Sequence, residues 1–252
     1  MSDQERKPPP ERKSPPPEAW EQAPTLVPLA AEAEPELISD GGGLPFPAAR
    51  PFEPFEPLDR GDPEVAALLV QIDRGRQQAQ PERAFRRRAK PPPMSTADKL
   101  AGWRELARSG DEVLYGRGRP PQLLTVAVRR ARGGRWKAVG VSNSRPLRAS
   151  RDGVRASSWR LDPSFAPAAD QSELRILVTE QSMASGALAA DRLLAPELHL
   201  DADRAVLRVY VRALEGYVGR SARHETPVII QLPEPLGERQ VVDGAVYEPP
   251  LR

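Results

Sequence analysis

Apolar residues change their spacing twice along this chain of 252 residues. Before residue 63 no period is sustained. Proline interrupts every short apolar group, as in Pro51-Phe-Glu-Pro-Phe-Glu-Pro57. A stretch with so few β-branched residues buries too little surface to offset the entropy of ordering it. The pattern predicts a disordered, partly polyproline-II arm over 1–62. Helical spacing begins after Asp62-Pro63, an N-cap residue followed by proline at the first helical position. Val65, Leu68, Leu69 and Ile72 then share one face, and the helix is expected to end near Gln78. A second helix is expected from Ser95 or Thr96 to a stop at Gly110. It carries Asp98 in its first turn and Leu100, Trp103 and Leu106 along one side. Between the two, Arg83-Ala-Phe-Arg-Arg-Arg-Ala-Lys90 runs into a proline triplet and reads as a basic hinge.

From Tyr115 onward the spacing drops to two. Leu124, Val126 and Val128 alternate, Gly133-Gly134 offers a tight turn, and Trp136 to Val141 returns. Trp136 and Val139 fall on opposite parities, which predicts a bulge or a shifted register there. Further strands are expected at 155–161, 173–180, 196–200, 205–214, 227–232 and 240–242. In the strongest, Leu207, Val209 and Val211 face one side, while Val206, Arg208, Tyr210 and Arg212 face the other. Asp201-Ala-Asp-Arg204 turns that strand back on its predecessor. Short strands with frequent turn residues predict a mostly β fold, an antiparallel β-sandwich that is Ig-like or an open barrel. One or two short helices and the disordered Pro-rich arm accompany it, with helix 96–109 covering one end or an edge. The expected organisation is a tail over 1–62, a helical linker with its basic hinge over 63–94, and the sandwich over 95–252. That last segment, about 158 residues, is long enough for one core.

Three blocks in the C-terminal part have a familiar form. They are Trp159-Arg-Leu-Asp-Pro163, Leu174-Arg-Ile-Leu-Val-Thr-Glu-Gln-Ser-Met-Ala-Ser-Gly186, and Thr226-Pro-Val-Ile-Ile-Gln-Leu-Pro-Glu-Pro-Leu-Gly-Glu-Arg239 with Val242-Asp-Gly244 after it. They resemble an uncharacterised family of bacterial β-domain proteins over about residues 155–250. The resemblance implies a β fold and relatives that are exported or membrane-tethered, and it brings no activity. Those relatives carry a cysteine in the Val-Thr-Glu block and another before the Thr-Pro strand. Here Met183 stands in the first place, and nothing near Arg220 or Ser221 can bridge. Loss of both partners fits a chain that folds where disulfides do not persist.

Charge changes the picture more than composition does. Between Arg117 and Arg160 twelve Lys or Arg residues face a single acid, Asp152. The first sixty-two residues hold thirteen acids against six bases, and residues 161–252 hold fourteen against nine, so the whole chain carries only +2. A basic segment of this density attracts polyanions, an acidic protein surface or an acidic segment of its own chain. On alternating strands Arg130, Arg135, Lys137, Arg155 and Arg160 are expected to line one exposed face, with Arg145, Arg148 and Arg151 on the connecting loop. Each cation set on a phosphate releases counterions and gives binding a steep salt dependence. Trp136 is the candidate for stacking a base. Trp159 shares parity with Leu161 and is expected to point inward. Glu32, Glu34, Glu36, Asp40, Glu53 and Glu56 lie on the arm, which could reach back to the basic face at modest entropic cost. The proline triplets and the Pro54/Pro57 spacing read as semi-rigid spacers or as docking segments.

Catalytic and metal chemistry find little support. The chain has no cysteine and two histidines, His199 and His224, outside any metal-ligand spacing. Asp201, Asp203 and Glu197 suit a hairpin turn better than a calcium loop. Ser142, Ser182 and Ser185 lack a nucleophile elbow. Asp162 and Glu180 each follow a strand, as capping or exposed acids do. Gly116-Arg-Gly118-Arg-Pro-Pro121 lacks the phosphate-loop lysine. No cofactor and no metal are expected. The charged, Pro-rich start reads as no signal peptide, and the longest apolar run, Val65 to Val70, is far below a membrane span. A cytoplasmic location is the expectation. The favoured function is a non-enzymatic binding or assembly module whose basic face meets an acidic protein, a nucleic acid or its own tail. The second is an enzyme acting on an anionic substrate held by the arginines.

Overall fold

A computed structural model describes residues 14–41, 43–78, 94–142, 146–180, 188–213 and 224–249. The fold is mostly β with short helices, as the alternation predicts. The chain divides into two compact units in place of a single sandwich after residue 95. Residues up to Ala31 join Ser157–Asp243 in the first, and Glu32–Ala156 join the residues from Gly244 in the second.

The first unit is a sheet built outward from long apolar strands. β1 (Thr25–Leu26) lies parallel to β14 (Glu225–Gln231), which pairs antiparallel with β11 (Glu173–Thr179). β11 pairs with β10 (Val154–Leu161), and β10 is followed by β13 (Arg204–Tyr210). β12 (Glu197–Leu200) runs antiparallel to β13, β15 (Gln240–Asp243) runs parallel to it, and β2 (Leu29–Ala30) lies parallel to β12. Alternate residues Leu174, Ile176, Val178, Leu207, Val209, Val211, Val228 and Ile230 gather in one core with Trp159. The Trp159 indole N–H donates to the Leu207 carbonyl at 3.1 Å, so the ring is buried with its polar atom satisfied.

Only Val27-Pro28 separates β1 from β2, yet the two strands stand at opposite ends of the strand order. One short segment therefore straps both edges. Ile229 N–H donates to the Pro24 carbonyl at 3.0 Å, Leu29 N–H to Pro196 at 2.8 Å, and Ala31 N–H to Leu198 at 3.0 Å. Unpaired edges invite pairing with other chains, and the strap covers them. Just before it, α1 (Pro17–Glu21) delivers a buried Trp20. The expectation of a disordered arm over 1–62 thus fails for 14–62, while residues 1–13 lie outside the described residues. The cause is length. Strands of two or three residues have no period to detect, and proline is tolerated at sheet edges, where its missing N–H costs nothing.

In the second unit a meander of β5 (Trp103–Ser109), β6 (Glu112–Arg117), β7 (Leu124–Arg130) and β8 (Trp136–Ser142) runs antiparallel throughout. Both of its faces are covered. Trp103, Val113, Tyr115, Val126 and Val128 pack with Val65 and Leu68 of α2 (Pro63–Gln78). Leu106, Leu114 and Ala127 pack on the other face with Ile38, Phe46, Leu147 and Tyr247. Ile38 and Phe46 come from β3 (Leu37–Ser39) and β4 (Phe46–Pro47), and β3 pairs with β9 (Arg148–Arg151). A strand buried on both sides loses its polar alternation, which hides β6 from a period-two search. The register shifts opposite Ala127 and Val128, where the parity conflict at Trp136 and Val139 predicted a bulge.

Two helical expectations change. Residues 63–78 form a helix packed on the meander and not a linker; the basic hinge at 83–90 lies outside the described residues. The second helix is much shorter than 96–109. α3 (Thr96–Leu100) is capped by Ser95, whose Oγ accepts from Asp98 N–H at 3.1 Å and donates to Asp98 Oδ2 at 2.7 Å. The chain then turns at Gly102, with φ of 77°, and becomes β5. Trp103 and Leu106 are three apart, which looks helical, but on β5 that spacing sends them to opposite faces. No helix among the described residues is long and apolar enough to cross a membrane.

α2 is pinned at its start by charge. Arg108 Nη1 donates to Glu64 Oε1 at 2.7 Å, and Nη2 to Glu105 Oε2 at 2.7 Å. Burial pushes the Glu64 carboxyl up, but the Arg108 hydrogen bond, a backbone hydrogen bond and the Arg108 charge together hold it below the ordinary value. A depressed carboxyl contributes stability that is present above the unfolded pKa and lost as pH falls through the folded one. Glu64→Gln is therefore expected to flatten the fall in unfolding free energy, read from urea titrations, between about pH 5 and pH 3 by about 1 kcal/mol, since Arg108 is partly solvated. An unchanged pH profile of the variant would refute the assignment.

Candidate functional site

The β7–β8 hairpin concentrates positive charge. Arg129 pairs across with Lys137 and Arg130 with Trp136. The tip closes through Ala131 N–H to the Arg135 carbonyl and Gly134 N–H to the Ala131 carbonyl, each at 2.8 Å. Gly134 takes φ of 76°, a left-handed conformation that a side chain would oppose. Arg129, Arg130, Arg132, Arg135 and Lys137 are all exposed on this short ribbon. Arg129 gives two hydrogen bonds to Glu112 Oε2, at 2.9 and 2.6 Å. Arg130, Arg132, Arg135 and Lys137 have no carboxylate partner among the described residues. Such a cluster sets up a positive potential into solvent.

The other expected cations are part of the scaffold. Arg148 Nη1 donates to the Ala156 carbonyl at 3.4 Å, and Arg155 Nη2 to Pro146 at 2.9 Å; both residues are half-buried. Arg151 lies 3.7 Å from Asp152. Arg160 belongs to the first unit and holds Glu225 with bonds of 2.9 and 2.6 Å, which push its pKa upward. Arg145 lies outside the described residues. The structure therefore brings together Arg130, Arg135 and Lys137, and it adds Arg129 and Arg132. A signal for these two was present: both flank the Gly133-Gly134 turn, so a hairpin puts them beside the rest. Trp136 packs in part against the α2-side cluster, so only part of its surface is open for stacking.

The acids of the supposed arm are not on a loose tether. Asp40 is buried and accepts from the Thr125 hydroxyl, and Glu53 pairs with Arg50 at 3.0 Å. Glu180 binds Arg192, and Asp162 accepts from Ser164, so these two carboxylates hold separate partners. Asp201 Oδ1 accepts from Asp203 and Arg204 N–H at 3.1 and 2.7 Å, an ordinary turn. His199 Nδ1 meets the Ala31 carbonyl at 3.1 Å, and the Ser142 carbonyl accepts from Thr125 at 3.4 Å. Ser182 and Ser185 lie outside the described residues. Among the described residues no group of three or more His, Asp or Glu could hold a metal ion.

A second cationic feature escaped the sequence reading. Arg104, only 8% exposed, donates from Nη1 to the Pro51 carbonyl at 2.8 Å, and its Cζ lies 4.3 Å from the centre of the Phe55 ring. In return Arg50 Nε donates to the Glu105 carbonyl at 3.2 Å. Arg104 Nε is buried with no partner. Burial first, then the charges of Arg119 and Arg50, lower the Arg104 pKa. No protein-family model, curated protein or solved structure matches the chain significantly.

Proposed function

We propose that this protein is a non-enzymatic binding module that engages an acidic partner through the β7–β8 hairpin. The observation that carries the reading is the set Arg130, Arg132, Arg135 and Lys137, exposed together without a carboxylate partner among the described residues. Keeping several like charges on one ribbon opposes folding by mutual repulsion, and a polyanion would relieve it. The cations lie on two adjacent strands and their exposed turn, which suits contact with a charged surface more than enclosure of a small substrate. Half-buried Trp136 at the base of the tip adds a flat apolar surface beside the cations.

Heparin chromatography of the full chain tests this. The combined variant R130A/R132A/R135A/K137A is expected to elute at markedly lower salt than the parent. In a salt titration with a duplex, losing four phosphate contacts reduces the slope of log K against log salt by roughly 3 to 4. Arg160→Ala, whose guanidinium is already occupied by Glu225, is expected to shift elution little. Coincident elution of the combined variant and the parent would remove the basis of the proposal.

A further inference from the structure

We propose that the acidic partner is taken up as an added β-strand: the open edge of β8 receives an extended segment in which acidic and apolar residues alternate. The inference rests on the hairpin reading above and names the form of its partner. β8 ends the strand order β5-β6-β7-β8, and among the described residues it pairs with β7 alone. Outside that ladder no backbone-to-backbone hydrogen bond among the described residues involves Trp136–Ser142. In a strand paired on one side, alternate N–H and C=O groups point away from the neighbour and offer a template for another strand. Other edges of the chain are met. β1 and β2 strap the sheet of the first unit, and in the meander Arg50 Nε donates to the Glu105 carbonyl of β5 at 3.2 Å.

The side chains along this edge set the chemistry of the occupant. Val126 is buried in the α2-side core, yet Val141, directly opposite it on β8, is 53% exposed. Residues opposite each other share a face, so the cover of that face stops short of the edge and one more strand would extend it. Val139, at the register shift, is equally exposed. Toward the turn the edge becomes cationic. Lys137 lies opposite Arg129, which alternates with buried Val128 and so occupies the other face. Neither Lys137 nor Arg135 has a carboxylate partner among the described residues. A lysine on an edge deters an apolar strand, which would have to cover its charge, and an incoming acid removes that penalty. Successive side chains of an extended segment point to opposite faces, so its apolar residues can meet Val141 while its acids meet Lys137. Main-chain hydrogen bonds would then supply affinity, and the alternation would supply specificity.

Fluorescence anisotropy of a dye-labelled Glu-Val-Glu-Val-Glu-Val peptide, titrated with the full chain, tests the edge. Saturable binding is expected. The block isomer Glu-Glu-Glu-Val-Val-Val has the same charge without the alternation, and the alternating peptide N-methylated at every residue keeps its side chains but has no N–H donors. Each is expected to bind about tenfold more weakly. Val141→Asn is expected to weaken the alternating peptide about threefold and to leave heparin elution unchanged. Equal binding of the three peptides, or undiminished binding in V141N, would overturn the proposal. So would a parent that is dimeric in size exclusion and monomeric as V141N, because the edge would then belong to a second copy of the chain. No binding of the alternating peptide, by a parent whose heparin retention still depends on the four hairpin cations, would overturn the added strand and leave the hairpin reading standing.

Discussion

Removal of residues 1–31 is expected to abolish cooperative folding of the first unit. The segment looks dispensable from composition, being acidic and proline-rich, but it supplies the strap across both edges of the sheet. Truncation would expose the outer backbone groups of β14 and β12 together and would strip Trp20 from its buried position. Loss of a buried tryptophan alone costs about 3–5 kcal/mol. Three edge hydrogen bonds, one accepted by the Pro24 carbonyl and two donated by Leu29 and Ala31, go with it, each worth about 1 kcal/mol net. The total approaches the about 5–15 kcal/mol that separates folded from unfolded states in ordinary domains. Near-ultraviolet circular dichroism should lose the part of its melting transition that belongs to the first unit, and size exclusion should show association through the opened edges. A truncated chain that stays monomeric and melts cooperatively near the parental temperature would show that the strap is ornamental.

The second large effect is expected at Arg192. Its side chain is 10% exposed and that of Glu180 is 8% exposed. Nη1 binds Glu180 Oε1, Nη2 donates to Oε2 at 2.7 Å, and Nη1 also donates to the Arg212 carbonyl at 2.7 Å. One guanidinium thus ties the residue after β11 to the residue two positions past β13. The hydrogen bonds to Glu180 push the Arg192 pKa upward, as a persistent pair requires. Arg192→Met withdraws both bonds from a buried carboxylate, and breaking such a pair from one side costs about 3–5 kcal/mol. Replacing both partners by apolar groups costs much less, so R192M/E180L should recover most of the loss in urea unfolding. Strict additivity of the two single variants would contradict the coupling.

Sequence patterning reached most strands of four residues or more, including β12 and β15, and missed the shortest ones for a physical reason. β7, β8, β11, β13 and β14 each run for seven residues, long enough for alternation to show, and all were expected within a few positions. Trp159 pointed inward as its parity with Leu161 required. β1 to β4 are two or three residues long and are specified by their partners, so nothing within them announces a strand. The Trp103/Leu106 spacing misled because β5 is covered on both faces, so apolar residues three apart on a strand serve two different cores and imitate one helical stripe.

The candidate site was legible to the same degree. Charge density located the hairpin, because Arg129 to Lys137 are close in sequence and any tight turn between them must gather them. It misjudged Arg148, Arg155 and Arg160, whose guanidiniums bond to carbonyls or to Glu225 far along the chain. Arg104 was missed for the same reason, since the Pro51 carbonyl and the Phe55 ring that hold it lie far from it along the chain.

The nested order of the two units has a bearing on synthesis. The first unit uses the opening of the chain and then Ser157–Asp243, and the second closes with Tyr247 in its core. A nascent chain leaving the ribosome must therefore carry β2 unpaired until Glu197–Leu200 emerges and β1 until Glu225–Gln231 does, with the whole meander made in between. The first core cannot be finished before Leu236 has been made, nor the second before Tyr247. Strands that wait so long for distant partners leave both cores open while the intervening residues are made, and that interval is when the newborn chain depends most on protection from its neighbours.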